Sequence, residues 1–380
     1  MRFGGFFGIA LVAIGGPLAL VALYVPSVIA EVSGSAGLVT VLGGLAFAVP
    51  VLVWLRYARD VTGAGGLTAF VEQAVGRRTA LVQAAIWTFS YALYLMYTSV
   101  DVVYDVLPVV FGQITRVQPV LALALPCAVA AVVLAPRRVS IAVIGVLAAG
   151  QLALVVLLAG LTLSRDLPAS AFTSTASVTD TVLSVGNVAV LYVCCSLPFF
   201  FGGEVRRPRT VSRGVGLAYA VVAVAVVLTV FPLAANPAFT RAEIPGVAYA
   251  SVAAGPAAGA TIGIGVAASI VSVMIVEYLA VTRLVHAVTG RSIRTISYLL
   301  AIALVASGPI SLINPERFYQ YLLRPSLVAL WVAQLIVVVV YPRYAARHHG
   351  LRISDVLLAA GATVVMLFGL YSTITSKVAT

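Results

Sequence analysis

Long apolar blocks separated by short polar stretches run through the whole chain. A helix rising about 1.5 Å per residue needs about 20 apolar residues to cross the hydrocarbon of a bilayer. On that criterion the pattern predicts eleven spans, near residues 4–29, 35–57, 80–109, 118–136, 140–163, 181–204, 211–234, 258–284, 296–313, 318–341 and 354–374. The stretches between them are too short for a soluble domain, so the predicted fold class is an all-α polytopic membrane protein.

Two of these spans are interrupted. Residues 190–209 read VLYVCCSLPFFFGGEVRRPR, with Pro198 near mid-depth, and span one carries Gly15-Gly16-Pro17 at a similar depth. A proline removes a backbone hydrogen bond that lipid does not replace, so such a break survives only where protein or a watery cavity satisfies the freed groups. The simpler alternative is a proline kink. The two breaks lie five spans apart, so their helices run in opposite directions, as in an inverted repeat with a binding site between its broken helices. On that reading residues 1–163 form a first repeat, 181–341 a second, and 354–380 a peripheral span and tail. The loops echo each other: Gly65-Gly66-Leu67-Thr68-Ala69-Phe70 opens an amphipathic piece after span two, and Ile244-Pro245-Gly246-Val247-Ala248-Tyr249 opens another after span seven.

Composition agrees with the pattern. The chain is 62% hydrophobic and only 9% charged, with mean hydropathy +1.11, which no soluble domain of this length shows. A net charge of +11 would elsewhere suggest nucleic acid. Here the arginines sit in short loops, and their asymmetry reads as topology. Arg56, Arg59, Arg77, Arg78, Arg137, Arg138, Arg206, Arg207, Arg209 and Arg213 fall on one side, as do Arg283, Arg291, Arg294, Arg343, Arg347 and Arg352. The other side holds Arg116, Arg165, Arg241 and Arg317, with Lys377 in the tail. This predicts a protein of the cytoplasmic membrane with its N-terminus inside and, for an odd span count, its C-terminus outside. The first apolar run mimics a signal peptide, but it is long, holds a Gly-Gly-Pro and feeds further spans. The expected partners are lipid and a small-molecule substrate, with no nucleic acid; monomer and homodimer fit equally well. Cys127, Cys194 and Cys195 give neither metal spacing nor a disulfide framework.

Three stretches together resemble the amino acid–polyamine–organocation (APC) superfamily. Gly65-Gly66 through Val71, Ala74 and Gly76 is similar to its G-G-x-Y-x-Y-V-x-x-A-F-G run. Gly203-Glu204-Val205-Arg206-Arg207-Pro208-Arg209 is similar to its E-E-V-x-N-P-x-R. The end of span one, Tyr24-Val25-Pro26-Ser27, stands where the family often has V-L-P-G. The likeness covers roughly residues 4–290. It implies a leucine-transporter-type fold of five plus five inverted spans, alternating access, and amino acids or amines as cargo. The chain departs from the family in four places. Leu18-Ala19-Leu20 replaces the small-residue G-x-G that holds a substrate carboxylate, Arg56 stands where span two often ends in an acid, span five has no lysine, and a twelfth span is not found.

Exposed amides at the start of a half-helix attract anions and polar groups. Ile14, Gly15, Gly16 and Ala19 at the first break, Tyr192, Cys194 and Ser196 at the second, and Tyr94 on span three are therefore candidate substrate contacts; close helix packing is the alternative use of such glycines. Charges inside spans are expensive and mark function by default. Asp101 on span three and Arg324 on span ten are candidates for an outer gate or a structural ion pair. Glu204 with Arg56 or Arg59 is a candidate inner lock. Glu277, about 10 Å from the inner end of span eight, is a candidate proton carrier, with a buried pair to a loop arginine as the alternative. Ser269 and Ser272, one turn apart, offer oxygens for a possible sodium site, although serines also bond back to their own helix.

These readings converge on a secondary transporter for a small organic solute, an amino acid or related amine. No cofactor is expected; the coupling ion is H+, with Na+ as the alternative. A receptor subunit of the same fold, binding without transport, is the rival. No nucleotide-binding loop and no cluster of catalytic residues at one depth point to an ATPase or another enzyme.

Overall fold

A computed structural model describes residues 16–61, 63, 65–112, 114–163, 172–173, 176–205, 208–234 and 236–375. In chain order the helices are α1 (Pro17–Val28), α2 (Ala36–Tyr57), α3 (Leu67–Val75), α4 (Arg77–Phe111), α5 (Gln118–Leu134) and α6 (Arg137–Leu163). They continue with α7 (Val178–Val190), α8 (Pro208–Ala234), α9 (Pro237–Thr240), α10 (Pro245–Ala254) and α11 (Pro256–Thr289). The last are α12 (Ile293–Ser311), α13 (Pro315–Val339), α14 (Tyr341–His348) and α15 (Ile353–Thr375). Among the described residues, nine helices are long and apolar enough to cross a membrane, and α1 and α5 are shorter apolar helices. The chain is an integral membrane protein built of these helices.

Local chemistry sets many of the helix starts. Proline opens α1, α8, α9, α10, α11 and α13, where its missing N–H would have had no partner. Side-chain oxygens of Ser177, Asn236, Ser292 and Asn314 accept the first amides of α7, α9, α12 and α13.

The two halves repeat one device in opposite senses. Gly76 joins α3 to α4 at φ 95°, ψ 173°, and Gly255 joins α10 to α11 at φ 90°, ψ 168°, a region open to glycine and closed to side chains. At the head of α3, a Cβ on Gly66 would lie 2.4 Å from the ring of Phe200, in the second broken span. At the head of α10, a Cβ on Gly246 would lie 2.6 Å from Ala22, in the first. Each short helix thus abuts the broken span of the other half.

The breaks differ from the expectation in one respect. Gly16 is non-helical, at φ −108° and ψ 64°, and α1 starts at Pro17; Ile14 and Gly15 lie outside the described residues. The second break is not an unwound gap at 194–198. Instead α7 passes at Leu191 into a 3₁₀ run, Leu191–Glu204, far longer than the usual three or four residues. Its i→i+3 pairing keeps backbone groups bonded within the helix, and Pro198 inside it has no N–H to donate.

Around these spans α13 lies along α4, α12 along α5, and α11 against α4 and α6, while α2 is packed by α7, α8 and α15. Reciprocal hydrogen bonds clamp α4 to α13: Ser90 Oγ donates to the Ser326 carbonyl and Ser326 Oγ to that of Ser90, both at 2.8 Å. Toward the arginine-rich side the interior fills with rings. Tyr57 stacks on Phe70 at 4.8 Å and Trp87 meets Phe200 at 4.2 Å. Trp54, Phe199, Tyr341 and Tyr344 extend the same layer.

Candidate functional site

A cavity of about 230 Å³ opens between α1, α4, the end of α7, α11 and α13. The start of α1 supplies Gly16 and Ala19, the second broken span Leu191 and Cys194, and α11 Val273 and Glu277. Tyr91, Tyr94 and Tyr97 line it from α4, and Tyr24, Asp101, Tyr319 and Arg324 stand at the other end.

The approach of α1 to α11 is close enough to need glycine. A Cβ on Gly16 would lie 2.9 Å from Val273 and 3.1 Å from Ser269 Oγ. Just beyond, the Ala19 amide donates to Ser269 Oγ at 3.2 Å, and Ser269 Oγ donates to Gln151 Oε1 on α6 at 2.6 Å. Both side chains are buried. This knot ties the start of α1 to two neighbouring helices. The candidate sodium ligand Ser269 thus has two protein partners, and Ser272 is buried one turn on; neither lines the cavity.

Glu277 is 1% exposed, so its surroundings decide its chemistry. The Cys194 thiol approaches Oε1 at 3.9 Å, while Oε2 has no hydrogen-bond partner among the described residues. No loop arginine pairs with it among the described residues. Asp101, also buried, accepts a hydrogen bond from the Tyr24 hydroxyl at 2.8 Å. Arg324 lines the same cavity, but the partner seen for the Asp101 carboxylate is this tyrosine. Both partners sit beside π-helical turns, Leu20–Tyr24 and Val102–Val106, a distortion often found at functional sites. Tyr97 meets Tyr319 edge to face at 5.4 Å and closes this end.

Of the predicted substrate contacts, Gly16, Ala19, Tyr94 and Cys194 line the cavity. Tyr192 does not; it packs between Phe47 and Tyr219 on the far side of its helix. Ser196 is buried away from the cavity. Arg56 pairs with Asp355 at the head of α15, where Tyr341 and the Arg352 amide also donate. Arg56 thus has Asp355 as a partner, α15 packing along α2; the expected lock of Glu204 with Arg56 or Arg59 falls on the Glu204 side chain, which lies outside the described residues. Sequence reading missed Tyr24 as the partner of Asp101, and Gln151. The second carried a signal, being the lone amide in the apolar run of α6.

No protein-family model matches the chain, and no curated protein sequence does. Its fold is well represented, with 163 matching chains among solved structures. One is the crystal structure of MhsT in complex with L-phenylalanine, at 15% identity and TM-score 0.63, covering 98% of each chain. At that identity the likeness shows the fold alone.

Proposed function

We propose that this chain is a secondary transporter that moves a small organic solute, an amino acid or related amine, through the central cavity by alternating access. The observation that carries the reading is the position of that cavity. It lies where the non-helical start of α1 and the 3₁₀ run of the second broken span meet α11, the place expected for a substrate site in inverted-repeat transporters. Its volume suits a small solute. The amino acid bound to MhsT, a protein of the same fold, supports this class of cargo. Proton coupling is favoured over sodium, because Glu277 is a buried carboxyl facing the cavity while Ser269 is engaged by Ala19 and Gln151.

Counterflow in liposomes tests the proposal. Vesicles containing the purified full chain and loaded with an unlabelled amino acid or amine are expected to accumulate the labelled form transiently, without ATP. Ligand-dependent thermal stabilisation with no exchange of any stabilising ligand would instead make the protein a binding subunit.

A further inference from the structure

The cavity holds a buried carboxylate oxygen that no described residue satisfies. Glu277 Oε2 has no partner, and Oε1 has only a distant thiol. A carboxylate kept from water without a partner is expensive, and two kinds of ligand relieve it, a proton or a cationic group. The walls favour a cation as well as a proton. Tyr91 and Tyr94 of α4 line the cavity with Glu277, and tyrosine faces attract ammonium groups. The titratable groups around Glu277 are Cys194 from the second broken span, Tyr91, Tyr94 and Tyr97 from α4, and Tyr24 from α1. Asp101, Tyr319 and Arg324 lie toward the opposite end.

We infer that Glu277 is the specificity-determining residue for cargo: it holds an ammonium group of the solute on Oε2, and a proton takes that place when the solute is absent. The inference rests on the transport reading and adds both the charge of the cargo and its exchange partner. In each cycle the arriving ammonium displaces one proton from the carboxyl to water. On the opposite side a proton displaces the ammonium. For an amine cargo one positive charge moves each way, so its exchange is driven by a pH difference and is indifferent to membrane potential.

The test uses the purified full chain and three probes of one shape: 2-phenylethylamine, 2-phenylethanol and 3-phenylpropionate, with the butyl amine, alcohol and carboxylate as a smaller set. An amine is expected to stabilise the protein against heat, with its matched alcohol and carboxylate ineffective. Affinity for that amine should fall at least about tenfold in Glu277→Gln and be partly kept in Glu277→Asp, which retains the charge. In the wild type the amine should bind more weakly at about pH 5.5 than at about pH 8, and in Glu277→Gln this dependence should vanish. Equal binding of the alcohol or carboxylate, no binding by either amine, or unchanged amine affinity in Glu277→Gln overturns the inference. Should Glu277→Gln fail to fold, the wild-type probe comparison and Glu277→Asp decide alone. The two readings separate cleanly: amine binding through Glu277 without liposome exchange sinks transport and keeps the site, whereas exchange that ignores Glu277→Gln keeps transport and sinks the site.

Discussion

The two ends of the cavity are closed by different means. Toward the arginine-rich side stands a layer of interlocked rings, from Trp87 and Phe200 down to Tyr57, Phe70, Tyr341 and Tyr344, with the Arg56–Asp355 clasp beyond it. Toward the other side, the contacts among the described residues include the Tyr24–Asp101 hydrogen bond and the edge-to-face packing of Tyr97 on Tyr94 and Tyr319. Burying many rings is a large collective stabilisation, whereas one hydrogen bond contributes about 1 kcal/mol net. The first end is therefore held by much the larger packed surface.

That contrast can be broken in graded steps. Trp87→Ala removes the centre of the ring layer, and a stability loss of about 3–5 kcal/mol is expected. A clear drop in the melting temperature of the purified protein would show it, and an unchanged melting curve would contradict the packing described. Gly66→Ala forces a Cβ into Phe200 at a positive φ, with an expected cost of about 1–3 kcal/mol. Gly246→Ala, whose Cβ would meet the Ala22 backbone in the other half without a positive φ, is expected to cost stability too, and an unchanged melting temperature would contradict that close approach.

Tyr24→Phe should be the mildest for stability, at about 1 kcal/mol, yet the most revealing for access. Cys194 lines the cavity, Cys195 is buried and Cys127 is exposed. In a Cys127→Ser background, Tyr24→Phe is expected to speed labelling of Cys194 several-fold by a membrane-impermeant thiol reagent. The gain should appear only when the reagent is applied opposite the arginine-rich face. Equal gains from both faces would mean that the two closures do not differ as described.

Much of this architecture was legible in the sequence because membrane burial writes itself in long apolar runs, and because Pro17, Gly66 and Gly246 fill roles other residues fit badly. The arginine-rich ends of α2, α3, α14 and α15 do gather on one side, with Arg56 on Asp355, Arg347 on the Ala74 carbonyl and Tyr344 on Asp60. What stayed hidden depends on contacts between distant segments. Nothing local marks Tyr24 as the partner of Asp101, 77 residues away. Pro198 marked where the second broken span is weak, but not that it would tighten from Leu191 onward. Asp355 as a partner of Arg56 stayed hidden for the same reason, lying 299 residues away.

The 3₁₀ run of that span has a mechanical consequence. Its 14 residues extend about 28 Å at about 2.0 Å each, whereas an α-helix of that length measures about 21 Å. Recoiling would draw the Glu204 end toward the Leu191 end by about 7 Å without bending the axis. The Cys194 thiol that approaches Glu277 lies within this segment, so any such shortening would move it too.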